Sequence, residues 1–307
     1  MKNNRQSKTI TTTYNIPVQI FGSIRIALIS DVHDRCPDAA LSILRQQKPD
    51  LILVAGDLME RHDPAVSPWT VEQMDEWQGI PRTRTWFFNI VRKFDGSAAS
   101  GEQTKRWDKE NGYRFLEETV KIAPVVLGVG VNEGNIPKNT QTGGILSELD
   151  RDFFKDQGVI FLDNRDCELT VKGQKLLIGG MSTRYDLEWL EQFSQKDGVK
   201  ILICHHPDYY PKYIKNTNRN TFALIMAGHA HGGQWRLFSR GGRKRGIPVF
   251  APGQGLFPRC AYGQYDNMIV SAGVSNTANI PRFGNPCEVV MIQLIQRADE
   301  DTEITRL

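Results

Sequence analysis

The sequence predicts an α/β fold with two sheets, on three observations. Short apolar runs alternate with helix-patterned segments through the first half, strand pairs joined by tight turns follow, and scarce histidines fall where predicted strands have just ended. Residues 24–29 form a β-rich run. Residues 37–47 read as a helix, with Pro37 at its start and Pro49 just past its end, and 51–55 as a second buried strand, which makes a β-α-β beginning. Tyr113, Leu116 and Val120 mark one helix face, 125–129 reads as strand, and Ile145, Leu146, Leu149 and Phe153 mark another helix. The pattern then changes to paired strands. Runs 167–171 and 175–178 flank a turn at Lys172-Gly173, and further runs lie at 200–204, 221–227, 249–251, 268–270 and 288–294.

The composition is that of an ordinary globular protein: 307 residues, 40% hydrophobic and 24% charged, with 38 basic against 35 acidic side chains for a net charge of +3. A near-neutral balance argues against a general nucleic-acid binder. The longest nearly apolar stretch, 122–131, is interrupted by Pro124 and two glycines and falls short of the ~20 residues a membrane helix needs. Residues 1–13 are polar and basic and lead into no apolar signal core, so the expectation is a cytoplasmic protein without a spanning segment. Five scattered cysteines without C-x-x-C spacing give no zinc or disulfide framework. The chain reads as one domain, 1–307, with an insertion or cap expected at 64–111. That segment holds Trp69, Trp77, Trp86 and Trp107 among many polar residues, too long for a plain loop and too aromatic for disorder. It is expected to be a partly helical cap, or a subdomain completing the core.

There are six histidines: His33, His62, His205, His206, His229 and His231. His62, alone, is a surface or packed residue by default. The others cluster at predicted strand ends: Asp31-Val32-His33 after the first strand, His205-His206-Pro207 after 200–204, and Gly228-His229-Ala230-His231-Gly232-Gly233-Gln234 after 221–227, with Gly56-Asp57 after the second strand. In open α/β sheets, ligands gather outside the carboxyl ends of strands, so groups distant in sequence can converge. On an extended segment, residues two apart point the same way, which would let both members of D-x-H and H-x-H face one ion. Imidazole with carboxylate suits zinc, manganese or iron rather than calcium.

The ordered set D-x-H, G-D, H-x-P and G-H-x-H-G-G-Q resembles the calcineurin-like metallophosphoesterases, most nearly a bacterial branch with the glycine-rich histidine turn. The stretch Pro252-Gly253-Gln254-Gly255-Leu256-Phe257-Pro258 and the pair Asn285-Pro286 are similar to that branch as well. The resemblance implies a four-layer α/β/β/α sandwich and two divalent metal ions, manganese, iron or zinc. It implies that Asp31, His33 and His231 hold one ion, His205 and His229 the other, and that Asp57 bridges them. The implied activity is hydrolysis of a small-molecule phosphate ester by a metal-bridged hydroxide, with a phosphodiester or pyrophosphate-linked substrate favoured.

One motif departs from the family. The usual G-N-H-E is here Gly130-Val131-Asn132-Glu133. With the register kept, Val131 stands where the metal-binding Asn belongs and cannot coordinate. With one extra residue in the loop, Asn132 becomes the ligand and Glu133 lies near the phosphate, the arrangement preferred here because it keeps an amide beside the ion. Neither register supplies the family's histidine, a contribution of typically ~10²–10⁴-fold where such a group acts. His62 could substitute for it. The catalytic candidates are therefore Asp57, Asn132 and His206, the last of which could also merely cap or pack and is not taken as a ligand. The altered motif also motivates an alternative, a catalytically weak metal-binding regulatory module; a single-metal hydrolase lies between the two. The basic run around Arg240, Arg243, Lys244 and Arg245 could hold a second phosphate, although a solvated hairpin tip is the plainer reading.

Overall fold

Among the described residues, twelve strands form two six-stranded sheets that face each other across a common core. The computed structural model describes residues 9–59, 110–134, 148–237, 246–251, 254–276 and 281–297. The Trp-rich segment up to residue 109, His62 and residues 240–245 of the basic run lie outside these.

The first sheet contains β1 (Ile10–Val18), β2 (Ser23–Ile29), β3 (Leu51–Ala55), β4 (Val125–Gly128), β5 (Ile160–Leu162) and β16 (Glu288–Gln296), in the order β1-β16-β2-β3-β4-β5. Strands β2 to β5 run parallel, and β16 enters antiparallel to β2. The second sheet contains β6 (Arg165–Val171), β7 (Gln174–Met181), β8 (Val199–Cys204), β9 (Leu224–Ala227), β14 (Gly263–Tyr265) and β15 (Met268–Val270), in the order β14-β15-β9-β8-β7-β6. Its β7, β8, β9 and β15 are parallel. The remaining short strands, β10 (Arg236–Leu237), β11 (Ile247–Pro248), β12 (Phe250–Ala251) and β13 (Gly255–Leu256), pair as two small ribbons.

The layers follow from which faces are apolar. Ile24, Ile26, Leu28, Leu51 and Leu53 of the first sheet interdigitate with Leu176, Ile178, Ile201, Ile203 and Leu224 of the second. Successive strand residues point to opposite faces, so Ala27, Ile29, Ile52 and Val54 look outward. They are covered by α1 (Asp38–Gln47), α2 (Glu110–Thr119) and, beyond the short α3 (Val131–Gly134), α4 (Glu148–Asp156), through Leu41, Leu44, Phe115, Leu116 and Phe154. On the far side, Leu202, Ile225 and Val270 are covered by Leu190 and Phe193 of α5 (Leu187–Ser194) and by Tyr210 and Ile214 of a π-helical turn. The result is the expected α/β/β/α sandwich. Burial on both faces explains why the parallel strands read as continuous apolar runs.

The differences from expectation have local causes. The first strand, β1, gives no apolar run because its solvent face carries Thr11, Thr13 and Asn15, while Ile16 and Val18 are buried. As the outer strand beside β16 it also tolerates Pro17. The helix α5 is announced by Asp186, whose carboxylate accepts the amides of Glu188 and Trp189 at 2.9 and 3.0 Å. Lys172 and Gly173 both have positive φ, 49° and 76°, and form the expected two-residue hairpin turn. Among the described residues, no helix is long and apolar enough to cross a membrane.

Candidate metal centre

All the expected histidine groups meet at the carboxyl ends of β2, β3, β8 and β9. Asp31, His33 and His231 converge in one group and Asp57, His205 and His229 in another, each with its ligand-type atoms within 4.8 Å of one another. The groups share an atom's neighbourhood. Asp57 Oδ2 lies 3.6 Å from His33 Nε2 and 3.2 Å from His205 Nε2, one nitrogen from each group. Asp31 Oδ1 in turn lies 3.8 Å from His33 Nε2 and 3.6 Å from His231 Nε2.

The side chains do not converge by the pleat of an extended strand, as the D-x-H and H-x-H spacings imply. Asp31, His33, His229 and His231 have φ of 56°, 50°, 63° and 46°, and Asp57 has 51°. Left-handed backbone at non-glycine residues costs on the order of 1–3 kcal/mol each and persists where the surroundings enforce it, typically at functional sites. The enforcement is visible. His229 N donates to both Asp31 carboxylate oxygens at 3.1 and 3.2 Å, Ser275 Oγ donates to Asp31 O at 2.7 Å, and the amides of Asp31 and His33 donate to Gly56 O and Asp57 O. Asn285 Nδ2 donates to His231 O at 2.7 Å and Gln234 O at 3.2 Å, which gives the Asn-Pro motif its function. Gly232 has φ of 64°, and any side chain on it would run into Asn285 Oδ1.

Electrostatics separate the ligands. Burial pushes both carboxyls up, yet neighbouring imidazoles outweigh it: His231 and His33 hold Asp31, and His205 holds Asp57, well below the usual carboxylate range. Burial would lower His205, but the Asp57 carboxylate pushes it up to about 9. Burial lowers His229 to about 4 and His231 to about 3, and keeps His206 neutral with help from His229 and His205.

The donor set fits cations. His205 Nδ1 lies 2.6 Å from Ala55 O, and since a carbonyl only accepts, this nitrogen carries a proton; the second ring proton, which Asp57 holds on Nε2, is the one a cation would displace to reach that nitrogen. His229 Nε2 is buried without a hydrogen-bond partner among the described residues. A second carboxylate-histidine group beside the first is what two ions would need.

A family model for calcineurin-like phosphoesterases matches residues 24–233, more than half of the chain. The chain belongs to this family. A Caenorhabditis elegans protein named as a metallophosphoesterase is 24% identical over 315 residues, covering 94% of the chain but 52% of its own length, so the chain spans about half of that relative. The Bacillus subtilis (strain 168) protein YpbG is 23% identical over 276 residues, covering 88% of the chain and 81% of itself. Among solved structures, a 5'-nucleotidase precursor from Thermus thermophilus overlays with a TM-score of 0.42 at 12% identity, covering 89% of the chain and 54% of the other.

Other site residues fall as follows. His206 sits beside the second group, its ring 4.2 Å from that of His229 and stacked on Tyr209 at 4.7 Å. Asn132 lies in α3, and its side chain is outside the described set. Glu133 does not lie open toward a phosphate: it is buried, with both carboxylate oxygens engaged by backbone amides. Sequence reasoning misses Arg282, whose Nη2 lies 3.1 Å from His231 Nδ1 and whose guanidinium also donates to Ala272 O and Ser275 O. No motif marks it, because it reaches the centre from the loop before β16.

Proposed function

We propose that the chain hydrolyses a small-molecule phosphate ester, with a phosphodiester or pyrophosphate-linked compound favoured, in dependence on two divalent ions. The observation that carries this is the position of Asp57 Oδ2 within reach of a histidine from each group. Asp31, His33 and His231 would hold one ion, His205 and His229 the other, and Asp57 both. When bound, the ions supply the positive charge that activates water and stabilises entering and leaving oxygens. With both ions bound, the Asp57 carboxylate would offset part of the repulsion between them. Asp31 and Asp57 stay ionised over the whole working pH range, since their neighbours hold them low.

His206 is the remaining catalytic candidate, and its setting narrows what it can do. Burial first, then His229 and His205, keep it neutral, so it serves as a hydrogen-bonding imidazole and not as an imidazolium acid. Asn132 is proposed as the amide beside the second ion. The same reading takes 1–307 as one domain interrupted at 64–111, and places it in the bacterial branch with the G-H-x-H-G-G-Q turn. The second reading, a weak or regulatory metal-binding module, is favoured by Val131, which follows Gly130 where an Asn would ligate.

The two readings separate in an assay of an aryl phosphodiester and the matching monoester with added manganese. Turnover that chelator abolishes and manganese restores supports the hydrolase, and the diester-to-monoester ratio sets the substrate class. Stoichiometric metal without turnover supports the regulatory module.

A further inference from the structure

Glu133 is 4% exposed and accepts four backbone N–H groups. Its Oε2 takes Asp57 N and Gly130 N, both at 2.9 Å, and its Oε1 takes Leu58 N at 2.9 Å and Met59 N at 3.1 Å. Three of these donors belong to the turn that presents Asp57, and the fourth to the turn after β4. The two turns are pressed together: a side chain at Gly130 would run into the Asp57 amide, and one at Gly56 into the Gly130 backbone. The Asp57 turn is also in the left-handed conformation that needs outside support. A carboxylate that took four amides only to cap a turn would not need them to come from a ligand residue and its two successors.

We infer that Glu133 is the positioning residue of the metal centre: it locks the Asp57 turn to the Gly130 turn and so holds Asp57 Oδ2 where both ligand groups can share it. This rests on the two-ion reading above. Outer partners that orient a ligand are worth roughly 10–100-fold in metal affinity. The geometry also says which replacements fail. Glutamine turns an N–H toward two amide donors, whereas aspartate keeps the charge but is one methylene too short to span both turns.

The test is calorimetric titration of the chelator-stripped full chain with Mn²⁺, for the parent, Glu133→Gln and Glu133→Asp, with thermal melting of each stripped protein as the control for folding. The expected result is two equivalents bound by the parent and about 10–100-fold weaker binding by both variants, each still melting cooperatively. Parent-like affinity in folded Glu133→Gln would overturn the inference. Parent-like affinity in Glu133→Asp would overturn it in favour of simple charge. Should the glutamine variant not fold, the aspartate variant decides alone; if neither melts cooperatively, Glu133 is a folding element and the inference is overturned. A parent that takes up no Mn²⁺ would instead sink the two-ion reading, and this inference with it.

Discussion

The two ligand groups of the centre are prepared for a cation in different ways. In the group of Asp57, His205 and His229, the Ala55 carbonyl holds one proton on His205 Nδ1, and the second, kept on Nε2 by Asp57 at 3.2 Å, is the one an ion would displace. In the group of Asp31, His33 and His231, a guanidinium that can only donate sits 3.1 Å from His231 Nδ1, so the proton of neutral His231 stays on Nε2, facing Asp31. An ion at His231 Nε2 would move that proton to Nδ1 and displace Arg282. One group thus sheds a proton while keeping its hydrogen bond to the backbone, and the other must shift a proton between ring nitrogens and lose its guanidinium partner. Similar ligand sets at strand ends need not load alike, because the partner of the second ring nitrogen decides what the histidine must give up.

The largest effect should come from breaking what the groups share. Asp57→Asn should remove both ions and lower metal-dependent turnover by about 10³-fold, the rate equivalent of about 4 kcal/mol of transition-state stabilisation. Metal analysis together with kcat checks it. Loss of one ion only would mean that Asp57 serves one group. Next, His205→Ala and His33→Ala should each leave about one bound equivalent, emptied from opposite groups.

The protonation states sharpen the comparison further. His205 has a folded value of about 9, above the ordinary 6.5, so its proton contributes stability to the ion-free protein that is full below 6.5 and lost as pH rises through about 9. An ion must displace that proton. Metal uptake at the second group should therefore release about one proton and strengthen by about tenfold per pH unit between these limits. Calorimetry in buffers of different ionisation enthalpy measures it, and His205→Ala should abolish the release. His231, already neutral above about 3, should release none at the first group.

Arg282→Gln should have a smaller and opposite effect. It takes a cation and its donor off His231, so affinity at the first group should rise a few-fold, while the melting temperature falls because Ala272 O and Ser275 O lose a partner. Weaker binding would show that Arg282 holds His231 in place and does not compete with the ion. Smallest of all, Tyr209→Phe removes the bond to Thr183 O at 2.9 Å and should cost about 1 kcal/mol of stability with little change in turnover.

Much of this architecture is legible in the sequence because burial on both faces leaves strong apolar runs, and because chemistry concentrated at strand ends leaves short polar motifs beside them. Asp31, His33, Asp57, His205, His229 and His231 all stand out in that way, and the structure brings them together. The manner of their convergence is not legible. Positive φ at Asp31 and His33 depends on the carbonyls of Gly56 and Asp57 and the hydroxyl of Ser275, partners that no local window contains. Glu133 is visible only as the end of an altered motif, since its four amide donors come from two separate turns. Arg282 carries no motif at all.

The most direct test of the central claim is metal stoichiometry measured alongside turnover of an aryl phosphodiester, in the parent and in Asp57→Asn. Two divalent ions per parent chain with chelator-sensitive hydrolysis are expected, with both ions lost and turnover about 10³-fold lower in the variant. A parent that holds two ions yet loses neither ion nor turnover when Asp57 is replaced would contradict it.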